Sequence, residues 1–415
     1  MPPFPKGFEA KNKVAIVGVG HSKLSRRGER PTGALAVDAS LKAIEDAGLT
    51  VRDIDGISNW PATDGQGVGP REGYNSAHVD WMVQGLGIEQ VNWWQSGGGG
   101  NIASAITSAM LAINSGICEN VLIWRAMWQP RSGRGSGTRS AAELERARTA
   151  PAPRATDEAA YSAPYGIGGP GGFASSYMRY MKMYGAKRHH MAAYAIAARH
   201  GGNNNPYSVF KDQLLSYEDY MNARMIADPL CLFDCDMHVD GAAAMVMTRA
   251  DKVADMKQKP VYITAYGSGG WDWRLRPPEE WQYASSGNIG RTLWAGTDMT
   301  PKDIQGAEFY DGYSPDIYWW LESMGFCGRG EAFEFIQNGM IERTGGLPVN
   351  TFGGNISEGR LHGMGHWVEA VKQVQGRADD QPGDGARQIA NVENMLVCTG
   401  MLAHGAGAIL SNGTR

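Results

Sequence analysis

Thr50-Val-Arg-Asp-Ile-Asp-Gly56 and Thr300-Pro-Lys-Asp-Ile-Gln-Gly306 are one short phrase written twice. Each follows an Ala-Gly step, Ala47-Gly48 and Ala295-Gly296, and each leads into a short apolar run that reads as a strand. The offset of about 250 residues recurs between Lys13–Gly20 (KVAIVGVG) and Val261–Gly267 (VYITAYG), two strands that run into glycine. Two copies of one strand-and-helix plan predict an α/β fold of duplicated halves. The halves are expected at residues 1–255 and 256–415, with a loop or cap inserted at about 128–235.

Working outward, Thr32–Leu49 carries Val37, Leu41 and Ile44 at helical spacing and stops at Gly48. Asn101–Gly116 aligns Ile102, Ile106, Met110 and Ile113 on one face, and Asn120–Arg125 reads as a buried strand. Ser314-Pro315 predicts a capped helix start, and His366–Gly376 an amphipathic helix. Met395–Cys398 and Ala406–Leu410 read as closing strands, and Tyr177–Arg199 as a helix. Between Trp128 and that helix lies an apolar-poor excursion rich in Arg, Gly and Pro. Its Arg131, Arg134, Arg139, Arg146, Arg148 and Arg154 either grip phosphates or form a solvated basic loop.

The totals exclude several function classes. With 415 residues, 39 Lys and Arg against 43 Asp and Glu, and a net charge of −4, the chain lacks the basic surplus of a nucleic-acid binder. The opening MPPFPKGFEAKNK has no apolar core, and no run approaches the ~18 apolar residues of a membrane span, so the expected location is cytoplasmic. Five cysteines without zinc spacing predict reduced thiols and no metal site in this chain.

Gly18-Val19-Gly20 follows a strand, but residue 23 is Lys, so the dinucleotide fingerprint is incomplete. The run Gly97–Gly100 ahead of Asn101 either offers backbone N–H groups to an oxyanion or packs its helix closely. Tyr310 and Asp311, in a loop after a strand, are either catalytic or a hydrogen-bonding pair. Arg360 and His362 sit two apart in Gly353–His366 (GGNISEGRLHGMGH), a glycine-rich loop that favours function.

Taken together these residues resemble the thiolase superfamily. Tyr165-Gly166, Tyr177–Tyr184, Asp234-Cys-Asp236, Val239-Asp-Gly-Ala-Ala243, Tyr310-Asp311 and Asn350 with Gly353-Gly354 are similar to its lipid-transfer-protein and acetyl-CoA acetyltransferase-like branch. The resemblance runs from about Lys13 to Leu410 and implies an α-β-α-β-α layered fold. The nucleophilic cysteine of thiolases falls at Gly99, and their Gly-His-Pro histidine at Gly359-Arg360. Cys398 lies near their second cysteine. An acyl-cysteine route therefore lacks its parts.

One branch without that nucleophilic cysteine, the steroid side-chain-cleaving aldolases, resembles this chain closely. It implies retro-aldol cleavage of a bulky β-hydroxyacyl-CoA to a ketone and a short acyl-CoA, with no bound cofactor. Of that family's two proton-transferring tyrosines, one matches Tyr310 and the other falls at Arg360. Arg360 is then expected to stabilise the enolate and His362 to transfer protons, with Asp311 beside them and the Gly98, Gly99 and Gly100 amides as oxyanion donors. The resemblance also implies a homodimer through Gln90–Gln95 and a small zinc-ribbon/OB-fold partner, zinc belonging to that partner alone. An acyltransferase using Cys398 and a non-catalytic acyl-CoA carrier are the alternatives.

Overall fold

The two copies of the repeated phrase fold alike. Thr50 and Thr300 each begin a single 3-10 turn, Val51–Asp53 and Pro301–Asp303. In both, the third residue reaches back: Thr50 N and Thr300 N donate to the carboxylates of Asp53 (2.7 Å) and Asp303 (2.9 Å). Each turn then feeds a four-residue strand starting at glycine, β2 (Gly56–Asn59) and β9 (Gly306–Phe309). The computed structural model describes residues 7–26, 28, 30–60, 76–97, 101–128, 169–270, 277–379, 386–401 and 404–413.

The other strands are β1 (Val14–His21), β3 (Trp93–Ser96), β4 (Asn120–Met127), β5 (Met225–Ala227), β6 (Leu230–Cys231), β7 (Gly241–Arg249), β8 (Val261–Gly270), β10 (Asn394–Met401) and β11 (His404–Ser411). Apart from the β5–β6 hairpin they form one sheet, ordered β3-β2-β4-β7-β1-β8-β11-β10-β9. From its centre the order reads the same outward on both sides. β1 and β8 are followed by antiparallel β7 and β11, then β4 and β10, then parallel β2 and β9. β1 and β8 meet through only two residue pairs, Ala15–Tyr262 and Ile16–Val261, so the sheet is two wings joined at a narrow seam.

Helices complete the layers. Thr32–Ala47 covers the outer face of the β1 wing, and Ala284–Ala295 the outer face of the β8 wing. Glycines allow both approaches. A Cβ on Gly18 or Gly20 would lie 2.2 or 2.1 Å from the carbonyls of Ala43 or Ala39, and one on Gly267 or Gly269 2.5 or 2.3 Å from those of Ile289 or Ser285. The glycines after β-strand starts therefore serve helix packing, not a dinucleotide.

Between the wings run Ile102–Asn114 and Met364–Gln375, each touching strands of both. All twelve residues of the second helix are buried, which corrects the amphipathic reading of His366–Gly376. A helix with partners on every side has no solvent face, and its polar residues are held by hydrogen bonds. Two further expectations are corrected. Tyr177–Arg199 is two helices, Pro170–Tyr184 and Arg188–Asn204, separated where Gly185 turns left-handed (φ 83°). The helix at Asp316–Ser323 is not capped by the Ser314 hydroxyl; the Asp316 carboxylate instead accepts from Tyr313 N (3.1 Å).

The polar network behind β9 has a titratable consequence. Glu308 and Glu369 are both buried carboxyl groups. Arg387 donates to Glu369 Oε2 (2.6 Å), and Thr351 Oγ1 lies 2.9 Å from Glu369 Oε1 and 3.2 Å from Glu308 Oε1. One hydroxyl proton serves only one acceptor. The consistent arrangement gives it to Glu369 and leaves Glu308 protonated, donating to Thr351. Burial, then the Glu369 charge, accordingly hold Glu308 well above the carboxylate range. The unfolded chain releases this proton near 4.5 while the folded chain keeps it. Stability present below that pH therefore falls as pH rises, by up to ~1.4 kcal/mol per pH unit, until the folded group ionises. Glu308→Gln supplies a neutral donor of the same shape. Its denaturation midpoint should exceed that of the wild type at about pH 8 and converge with it near pH 4.

Candidate active site

The carboxyl ends of parallel strands converge on one region, as ligand sites in open α/β sheets do. Trp60 directly follows β2, Arg125 lies near the end of β4, and Tyr310 directly follows β9. The loop 358–363 crosses in front of them, its Arg360 N–H bonded to Met237 O (2.7 Å) and Gly359 pressed on Val239.

Asp311 fixes that loop. Its carboxylate is fully buried and accepts from Tyr194 Oη (2.6 Å), His366 Nε2 (3.1 Å) and the amides of Asn355 (2.7 Å) and Ile356 (3.4 Å). Asn350 Nδ2 adds a bond to Tyr194 Oη (2.7 Å). A Cβ on Gly354 would sit 2.2 Å from Asp311 Oδ2, and its φ of 62° is left-handed, so only glycine fits this turn. With these acceptor positions taken and no exposure, Asp311 holds the loop from behind and meets no substrate.

Tyr310 stacks on the other side of this network, its ring 6.0 Å from that of His366. Its backbone is pinned, N–H to Cys398 O (2.9 Å) and carbonyl to Trp320 Nε1 (3.1 Å). No described residue bonds its hydroxyl. Burial and the Asp236 carboxylate raise its pKa, and the Arg360 guanidinium offsets this only in part, so Tyr310 stands as a neutral phenol at physiological pH.

Arg360 is not a free cation. Its Nη1 donates to Asp236 Oδ2 (3.0 Å) and its Nη2 lies 3.3 Å from His238 Nδ1. His238 Nε2 lies 3.4 Å from Asp236 Oδ1. Asp236 and Arg360 remain 13% and 20% exposed, enough to meet a ligand. Two residues earlier, Asp234 is a structural contrast: buried, it accepts from Tyr220 Oη (2.8 Å) and Cys231 N (2.8 Å).

His362 is half-buried and adopts φ 50°, an uncommon left-handed backbone for a residue with a side chain. Its Nδ1 lies 2.7 Å from Arg125 Nη2, and its ring meets Trp60 edge-on at 5.5 Å. Burial, then Arg125, Arg360 and His238, push its pKa well below the usual value, so the ring is neutral. Arg125 itself is fully buried and pulled down to about 9, by burial and then Arg360; it remains a cation at neutral pH.

The structure thus brings Tyr310, Arg360 and His362 into one site and sets Asp311 behind it. Gly98, Gly99 and Gly100 lie outside the described residues, as do Tyr165-Gly166 and the arginines of the 129–168 excursion. Arg125 and His238 were missed, and Asp236 was read only as part of the Asp234-Cys-Asp236 motif, without a site role. A charge closing the apolar run Asn120–Arg125 was the available signal for the first; nothing in the local sequence marks His238.

All five thiols are held protonated. Burial, then nearby carboxylates, raise Cys118, Cys235 and Cys327 to about 12 and Cys231 to about 11. Cys398, fully buried on β10, is pushed well above 9 by burial alone. Burial of Cys398 and its raised pKa weigh against the acyltransferase alternative built on it.

A family model described as thiolase C-terminal domain-like matches residues 271–412. The 17-hydroxy-3-oxo-4-pregnene-20-carboxyl-CoA lyase of Mycobacterium tuberculosis is 32% identical over 412 residues, 96% of this chain and 99% of that protein. The steroid side-chain-cleaving aldolase of Thermomonospora curvata is 32% identical over 407 residues, 96% and 97% of the two chains. Among solved structures, the Ltp2-ChsH2(DUF35) aldolase superposes with a TM-score of 0.82 at 29% identity, covering 98% of this chain and 99% of its own.

Proposed function

We infer the function from one premise: the chain belongs to the thiolase superfamily and, within it, to the steroid side-chain-cleaving aldolases. It is a carbon–carbon lyase that cleaves a bulky, steroid-bearing β-hydroxyacyl-CoA by a retro-aldol step, releasing a ketone and a short acyl-CoA. One observation carries this reading to the site. A neutral phenol and a neutral imidazole stand ready as donors beside an Arg–carboxylate pair, and no activated thiol stands among these groups.

The roles follow from what each group has free. Tyr310 feels three carboxyl groups, Asp236, Asp316 and Asp311. Asp311 is saturated, and burial holds Asp316 well above the carboxylate range. Asp236, paired with Arg360 at 3.0 Å and still partly exposed, is left to accept the proton of the substrate hydroxyl. The bond between the hydroxyl-bearing carbon and the α-carbon then breaks, its electrons passing to the thioester as an enolate. His362 donates to the enolate oxygen, and the Arg360 charge stabilises it at a distance. Tyr310 delivers its proton to the α-carbon, and the phenolate recovers one from Asp236. Protons and electrons balance, so the reading includes no bound cofactor; the CoA thioester is the substrate.

The test is mass spectrometry after incubation with a β-hydroxy steroid acyl-CoA in the absence of free CoA. Ketone plus shortened acyl-CoA is the expected result, and it should persist in Cys398→Ala. Intact substrate retained on the protein would sink the lyase reading in favour of a carrier.

Assembly belongs to the same reading. β3 is an edge of the sheet, and its Trp94 is 64% exposed beside Leu111 and Ile117, also exposed. An apolar sheet edge of this kind suits a second copy of the chain. Trp94→Lys should convert a homodimer to monomers in light scattering coupled to gel filtration. The Ltp2-ChsH2(DUF35) relative pairs two proteins in one aldolase, which supports the reading that this chain too works with a small partner, proposed here as a zinc-ribbon/OB-fold protein, so the assays use the co-expressed pair.

A further inference from the structure

We propose that Arg125 is the positioning residue of the site, fixing His362 in the tautomer that carries its proton on Nε2. The inference rests on the reading of His362 as the donor to the thioester oxygen and deepens it.

The argument starts from what a guanidinium can do. Arginine has five N–H donors and no acceptor. A contact of 2.7 Å between Arg125 Nη2 and His362 Nδ1 therefore requires a lone pair on Nδ1. The ring proton must then sit on Nε2, and a doubly protonated ring would set two N–H groups against each other. Nothing described accepts from Nε2, and that atom is not sealed from solvent. His362 thus offers one N–H to the site and has no free lone pair. In this pose it is an electrophile and not a base, which is why the substrate's proton needs another acceptor.

Two independent observations support a built arrangement. Arg125 is anchored on its own strand: it donates to Ala126 O, and its guanidinium lies 5.4 Å from the Trp60 ring. Its register partner on β7 is Ala243, whose small side chain leaves room for a buried arginine. His362, for its part, presents its ring to Arg125 from a left-handed backbone (φ 50°), uncommon for a residue with a side chain, with Gly363 beside it at φ 95°.

Among the described residues, the charged groups facing His362 come from three elements. They are Arg125 of β4, Arg360 of its own loop and His238 from the segment before β7, and all disfavour a second ring proton. Of these only Arg125 touches the ring, so only it selects which nitrogen is bare.

The experiment is nitrogen-15 spectroscopy of the histidine rings in the full chain with its partner, with His362→Gln to assign the signal. In the wild type His362 should show the Nε2–H pattern and no titration between about pH 5 and 8. Arg125→Met should bring the ring into titration and raise its pKa by about one pH unit or more. Arg125→Lys should give an intermediate state, and kcat should fall more than KM rises in both. A wild-type His362 that carries its proton on Nδ1, or that titrates near 6.5, would overturn the proposal whether or not the variants fold. So would an unchanged His362 spectrum in Arg125→Met. Because the ring is read directly, absence of lyase turnover with the Nε2–H pattern intact would sink the proposed function and leave this inference standing.

Discussion

Tyr310→Phe is expected to lower kcat/KM for retro-aldol cleavage by about a thousandfold, the range in which a positioned proton donor acts. Stability should barely change. The phenol hydroxyl has no partner among the described residues, so its removal strands no donor or acceptor. The ring contact with His366 and both backbone hydrogen bonds survive in phenylalanine. Binding of the acyl-CoA should likewise persist, because the hydroxyl is needed only when the α-carbon becomes negative. Steady-state kinetics, thermal unfolding and equilibrium binding on one preparation separate these effects. Equal turnover in wild type and Tyr310→Phe would remove Tyr310 from the chemistry.

Asp311→Ala should produce the largest loss of stability of any single change in the site, on the order of 4 kcal/mol. Four donors lose their acceptor at once: Tyr194 Oη, His366 Nε2 and the amides of Asn355 and Ile356. None can reach water, since Tyr194, His366, Asn355 and Ile356 are all buried. Asp311→Asn keeps one oxygen but presents an N–H to donors, so it should fall between alanine and wild type. Chemical denaturation reports the stability. Activity should fall as well, because the turn at Gly354 that Asp311 grips leads directly into Arg360 and His362. A silent Asp311→Ala in unfolding would mean that the loop is held elsewhere.

Much of the architecture was readable in the chain itself. The Thr50 and Thr300 phrases are closed locally: a carboxylate three residues on accepts from the threonine amide in both. Strand and helix periods are local too, so the repeat, the order of elements and the glycine-lined strands β1 and β8 could be read before any coordinates. Burial of Met364–Gln375 could not. Its polar residues mimic a solvent face, and only the second wing of the sheet removes that solvent.

The site divides along the same line. Tyr310, Arg360 and His362 stand out because glycine-rich loops after strands seldom carry titratable side chains for packing alone. Their states did not stand out. Whether Arg360 is a free cation depends on Asp236, 124 residues away. Which nitrogen of His362 is bare depends on Arg125, 237 residues away. Whether Asp311 reacts or supports depends on Tyr194 and His366. The sequence alone determined the residue types, their local turns and the duplicated plan, because those follow from neighbours along the chain. Charge, protonation and tautomer were decided by the tertiary structure, because hydrogen bonding and desolvation act between groups that only folding brings within a few ångströms.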